Sequence, residues 1–167
     1  MSFDVFFRPC RYDGTTERRR NPFTNKIQEF PRNGPLSEVE VSAVRDALER
    51  AGARGPDDDG TYVAMFADGA NAEIFADNLA NGCMFAIRGA GVTPSLARLL
   101  FEVMVAGNWV LTGTGEENLV LAPTLECVKG APNDFPRVVV ARSAREVQLA
   151  LASGFEGFRH YRDQILA

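Results

Sequence analysis

Thr61-Tyr62-Val63-Ala64-Met65-Phe66-Ala67-Asp68-Gly69-Ala70-Asn71-Ala72-Glu73-Ile74-Phe75 reads as two short strands folded about Asp68-Gly69. The chain then runs through a third apolar stretch, Cys83 to Arg88, into a helix opening at Thr93-Pro94. Asp-Gly between alternating apolar residues is a hairpin signal. Three neighbouring antiparallel strands make a stable sheet once a helix covers one side, so an antiparallel sheet belongs at the centre of the molecule. A two-residue type I′ turn pairs Ala67 with Ala70, Met65 with Ala72 and Val63 with Ile74. That register predicts one face of small apolar residues. The opposite face then carries Tyr62, Ala64 and Phe66 across from Phe75, Glu73 and Asn71.

Upstream, residues 2–8 alternate as a strand, with Phe3, Val5 and Phe7 on one face and Asp4, Phe6 and Arg8 on the other. Residues 10–35 are rich in Pro, Gly, Asn, Thr and Arg and read as a long loop with one short extended piece at 26–30. Ser37 and Glu40 form a capping box, Leu36 and Val41 a hydrophobic staple, and Gly52 a stop, which sets a helix over 38–51. Thr93 caps a second, nearly all-apolar helix that Gly107 ends. Beyond it come a hairpin over 108–112 and 118–122, a β-branched strand over 137–141, a helix from Ser143 to Ser153, and a last amphipathic helix through Phe155, Phe158, Tyr161 and Ile165. The expected fold is a single α+β domain over 1–167, mostly antiparallel, with helices packed on one side of the sheet.

The 167 residues suit one core, and 46% hydrophobic with 24% charged residues is ordinary for a globular chain. A net charge of −4 opposes general nucleic-acid binding, which needs a positive surface to displace counterions. Three scattered cysteines fit reduced thiols in a cytoplasmic protein, and no segment reads as a signal peptide or membrane span. Sixteen arginines against two lysines suggest the coding bias of a GC-rich bacterial genome.

Catalysis has little to work with. His160 is the only imidazole, with Glu156 and Asp163 at helical spacing to orient it, and a nucleophile would come from Cys83 or Cys10. Cys127 stands close in sequence to Lys129, which could lower its thiol pKa. Arg88-Gly89-Ala90-Gly91-Val92-Thr93-Pro94 joins a strand to a helix N-terminus and could offer N–H groups to a phosphate at residues 88–94, yet it lacks the third glycine of a dinucleotide fingerprint and the lysine of a P-loop. Asp57-Asp58-Asp59 lacks the ligand spacing of an EF-hand, and no motif implies a metal or cofactor. Asn21-Pro22-Phe23 is a turn-forming tripeptide, and Trp109 reads as core-edge packing whose indole N–H needs a partner.

Binding is better provided for. Arg18, Arg19 and Arg20 concentrate charge in the N-terminal loop, and Tyr62, Phe66, Glu73 and Phe75 mix rigid rings with polar groups on one sheet face, with Arg88 on the strand beyond. The sequence leans against an enzyme. It favours a cytosolic bacterial protein-binding module, of which an immunity or toxin-neutralising protein is one version. A small hydrolase or transferase using His160 with a cysteine or carboxylate, and a phosphate binder at the 88–94 turn, stand as alternatives. The expected partner is another protein, and pairing into a homodimer by a strand edge is compatible with the pattern.

Overall fold

The computed structural model describes residues 3–20, 25–113, 119–128 and 137–152. In chain order these form β1 (Phe3–Pro9), β2 (Tyr12–Arg20), β3 (Ile27–Asn33), α1 (Glu38–Arg50), β4 (Thr61–Met65), β5 (Ala70–Phe75), β6 (Cys83–Gly89), α2 (Pro94–Ala106), β7 (Trp109–Gly113), β8 (Leu119–Ala122), a 3₁₀ turn (Glu126–Val128) and β9 (Arg137–Val140). A third helix, α3, occupies 144–152. The last amphipathic helix expected around Phe155 lies outside the described residues.

Seven strands make one sheet in the order β4-β5-β6-β1-β7-β8-β9, antiparallel throughout except for the parallel pair β8 and β9. The N-terminal strand is therefore the middle one. Its alternation explains the choice, because Phe3, Val5 and Phe7 are all buried and meet the core residues of both neighbours. Phe7 packs its ring on Phe85 at 5.2 Å and on Trp109 at 5.9 Å, both tilted. Against this face lie Val44, Ala47 and Leu48 of α1, Leu96, Leu99, Leu100, Val103 and Met104 of α2, and Val147 and Leu151 of α3, all in one cluster. Each fully buried Leu or Val contributes roughly 1.5–3 kcal/mol relative to exposure. The helices thus cover one side of the sheet, as the apolar periodicity predicts.

The local signals act as read. Glu40 N–H donates to the Ser37 hydroxyl while the Glu40 carboxylate accepts from Ser37 N–H at 2.9 Å, closing the capping box. Thr93 caps α2, where Pro94 takes a position whose N–H is not needed. Ser143 caps α3 by accepting from Glu146 N–H.

Two readings are corrected. The first concerns register: Met65 pairs with Asn71, Ala64 with Ala72 and Val63 with Glu73, one residue away from the expected ladder. Gly69 N–H donates to Phe66 C=O and Phe66 N–H to Ala70 C=O, with Gly69 at φ +87°, so the loop is a three-residue turn ending in a left-handed glycine rather than a two-residue type I′ turn. A slip of one residue exchanges the faces of one strand relative to the other. Tyr62 and Ala64 join Ala72 and Ile74 in the core, and Val63 and Met65 join Glu73 and Phe75 on the far side.

The second concerns residues 10–35, which are not a loop. β2 and β3 form a separate two-stranded sheet in which Arg18 faces Glu29, Arg19 faces Gln28 and Arg20 faces Ile27. Arg18, Arg20, Ile27 and Glu29 of this ribbon are exposed, and the hydrophobic alternation that announces a half-buried strand is missing. The hairpin is rooted where Gly34 N–H donates to Arg11 C=O at 2.9 Å, Asn33 Nδ2 to Pro9 C=O at 3.1 Å, and Arg11 forms an ion pair with Glu40 of α1.

Candidate functional site

The face of the sheet turned away from α1 and α2 has two halves. Over β7, β8 and β9 it holds a small buried cluster of Cys10, Val110, Val120, Ala122 and Cys127, with Val138 packed against it. Over β4, β5, β6 and β1 it is open. Registers place Phe75 opposite Met84 and Met84 opposite Phe6, so these three form a row straight across three strands. Phe6 is 40% and Phe75 39% exposed, and Val63 and Met65 of β4 lie 43% and 80% exposed on the same face. Polar groups edge the row: Asp4 lies opposite Ala86, which is itself buried beneath its neighbours, and Glu73 and Arg88 make a cross-strand ion pair at 2.7 Å. That pair is about half exposed and contributes at most about 1 kcal/mol to stability.

Of the residues singled out in the sequence, Glu73, Phe75 and Arg88 thus meet on one surface. Tyr62 does not: it is buried in the core, where desolvation pushes its phenol pKa up. Phe66 packs against the core cluster at the turn. Phe6, Met84, Val63 and Met65 are the members that the sequence reading left out of the site. Alternation already put Phe6 and Met84 away from their core neighbours, but only the adjacency of β1 and β6 makes them one row.

Arg18, Arg19 and Arg20 lie on the hairpin arm. Arg18 pairs with Glu29 at 3.2 Å and Arg20 donates to Asn25 Oδ1 at 3.0 Å, both at exposed sites. Over residues 11–33 six cations face three carboxylates, so the arm carries +3 and, with −4 for the whole chain, the remainder carries −7. The tripeptide Asn21-Pro22-Phe23 lies outside the described residues, apart from the placement of its neighbours.

The catalytic candidates are not assembled among the described residues. Cys83 is buried in the core cluster and desolvation pushes its thiol pKa far up, away from thiolate chemistry. His160, with Glu156 and Asp163, lies outside the described residues. Lys129 lies outside the described residues; at Cys127 a hydrogen-bonding influence of Cys10 and then burial push the pKa up, against a weaker pull from Arg11. No group of three potential metal-ligating His, Cys, Asp or Glu residues occurs among the described residues, and Asp57 spends its carboxylate on the N–H groups of Asp59 and Thr61. No helix among them is long and apolar enough to cross a membrane.

At the 88–94 turn the α2 N-terminus already holds a carboxylate. Ser95 N–H donates to Asp68 Oδ2 at 3.1 Å and Leu96 N–H to the Thr93 hydroxyl, while Ala90 N–H donates to Gly69 C=O. Arg88 is turned to Glu73. An anion would have to displace Asp68. The Ser95 hydroxyl first, helped by the Ser95 N–H, the Thr93 hydroxyl and the Ala70 N–H, holds the Asp68 carboxyl below the usual carboxylate range against an opposing desolvation. A depressed folded-state pKa stabilises above the unfolded value, about 3.9, and the benefit is lost as pH falls through the folded value. Asp68→Asn should therefore flatten the acid limb of a melting temperature against pH profile below about pH 4. An acid limb identical to that of the parent chain would contradict the capping role.

The β4 edge is covered as well. Arg54 and Val63 exchange both backbone hydrogen bonds at 2.8 Å, and Asp57 N–H donates to Thr61 C=O. Two successive outward positions are thereby closed to a strand of another copy.

The class that fold and surface define is an α+β module with one helix-covered face and one partly open face. The chain matches no protein-family model, no curated protein and no solved structure.

Proposed function

We propose that this chain is a non-catalytic protein-binding module that grips another protein with the open half of its sheet and steers it with the basic arm. The observation that carries this reading is the row Phe75, Met84 and Phe6, exposed at Phe75 and Phe6 and half-buried at Met84, extended by the exposed Val63 and Met65. Aromatic residues and methionine are enriched in interface cores, and a polar rim such as Asp4, Glu73 and Arg88 fixes orientation. Four strands about 4.8 Å apart and some five residues long span roughly 300 Å². A stable interface takes about 800 Å² from each partner, so the face needs a second contact, and the arm supplies it. With +3 on the arm and −7 on the rest of the chain, the arm fits an acidic protein surface and a bare nucleic acid would be repelled by the body.

Cys10, Cys83 and Cys127 form no disulfide with one another, in keeping with a reducing cytoplasm. A bacterial immunity or toxin-neutralising protein is one form such a module takes, with the toxin as partner. Tagged chain isolated from its own cells should carry one stoichiometric protein. The double substitution Met65→Glu and Phe75→Glu should release it without changing the melting temperature by more than a few degrees, and Arg18→Glu with Arg20→Glu should weaken it and reduce its salt dependence. A complex indifferent to all four substitutions would overturn the reading.

A further inference from the structure

Cys10 directly follows Pro9, which pairs with Trp109 at the start of β7, and Asn108 directly precedes Trp109. The Cys127 thiol donates to the Asn108 carbonyl oxygen at 3.2 Å. The end of β1 and the 3₁₀ turn thus bring two thiols, far apart in sequence, into the same small buried cluster with Val110, Val120 and Ala122. Cys83 sits in the other cluster, on the opposite face of the sheet. We propose that Cys10 and Cys127 are a redox pair, which peroxide converts into a disulfide that pins the root of the basic arm to the turn at Glu126–Val128.

The chemistry balances with hydrogen peroxide as oxidant. The Cys127 sulfur attacks a peroxide oxygen as its own proton passes to solvent. The S–O bond forms, the O–O bond breaks, and the leaving hydroxide takes a proton to become water, leaving a sulfenic acid. Cys10 sulfur then attacks Cys127 sulfur, the S–O bond breaks, and the hydroxyl departs with the Cys10 proton as a second water. Two electrons pass from the thiols to peroxide. Burial keeps the thiolate fraction low, so the pair responds to sustained rather than brief oxidation. Cys10 immediately precedes Arg11, which carries both the hydrogen bond from Gly34 and the ion pair to Glu40, so the bond would fix the arm at its base.

The test uses the full purified chain, treated with hydrogen peroxide, alkylated and mapped by mass spectrometry. The expected product is about 2 Da lighter before alkylation, yields a linked Cys10–Cys127 peptide pair, melts several degrees higher, and reverts with dithiothreitol. Cys83→Ala should retain all of this and Cys127→Ser should lose it. Recovery of Cys10 and Cys127 as separately alkylated thiols, as separate sulfinic or sulfonic acids, or linked only between chains would overturn the proposal. Because the readout is a mass and a linkage, its failure leaves the binding reading standing, and the reverse also holds.

Discussion

Replacing Trp109 with alanine is expected to destabilise the fold by about 3–5 kcal/mol, the usual cost of removing a fully buried ring. Trp109 is completely buried, packs on Phe7 of the central strand, and leaves no room behind it, since a Cβ on Gly107 would meet its ring at 2.7 Å. The indole adds a second effect of opposite sign. Its Nε1 is buried and has no partner among the described residues, contrary to the expectation that it would find one. An unsatisfied buried donor costs about 1–3 kcal/mol. Trp109→Phe removes that donor along with part of the ring, so its cavity cost should be largely offset and its loss should fall well below that of Trp109→Ala. Urea denaturation of Trp109→Phe against the parent chain checks this, and a loss as large as about 3–5 kcal/mol would mean that no unsatisfied donor had been removed.

Gly82→Ala should be as damaging, for a backbone reason. Gly82 adopts φ +137° at the entry to β6, and a Cβ there would lie 2.2 Å from the Phe7 carbonyl oxygen. That oxygen belongs to β1, so a methyl group would force the middle of the sheet apart. Strain and overpacking together suggest about 3–5 kcal/mol. Gly52→Ala is the control: φ is +79° but nothing lies within 4 Å of the added carbon, so it should cost only about 1–2 kcal/mol. Denaturation midpoints within 1 kcal/mol of each other, on the order of the strain alone, would contradict the close approach.

What the sequence could disclose followed from how local the deciding forces are. Capping at Ser37 and Thr93, the helical periodicity of α1 and α2, and the alternation of Phe3, Val5 and Phe7 all act within one element, and the coordinates agree with each. The β4–β5 register depended on whether Asp68-Gly69 closes a two-residue or a three-residue loop. Asp68, within that loop, reaches out of the hairpin to the N-terminus of α2, a tertiary contact that no hairpin rule contains. The arm was missed because Arg18 and Arg20 are exposed, and periodicity reports burial. Likewise, Phe6, Met84 and Phe75 become a surface only through the strand order β5-β6-β1, in which the first strand enters the middle of the sheet. Glu73, Phe75 and Arg88 were found because their strands are consecutive in the chain.

The binding claim is tested most directly by site-specific photo-cross-linking in the protein's own cells, with a benzophenone amino acid at Phe75 on the open face and, as control, at Val39 on the exposed side of α1. Phase-matched samples irradiated at both positions should give one discrete adduct with a different protein from position 75 and none from position 39. No adduct at position 75, or an adduct consisting only of a second copy of this chain, would contradict the account.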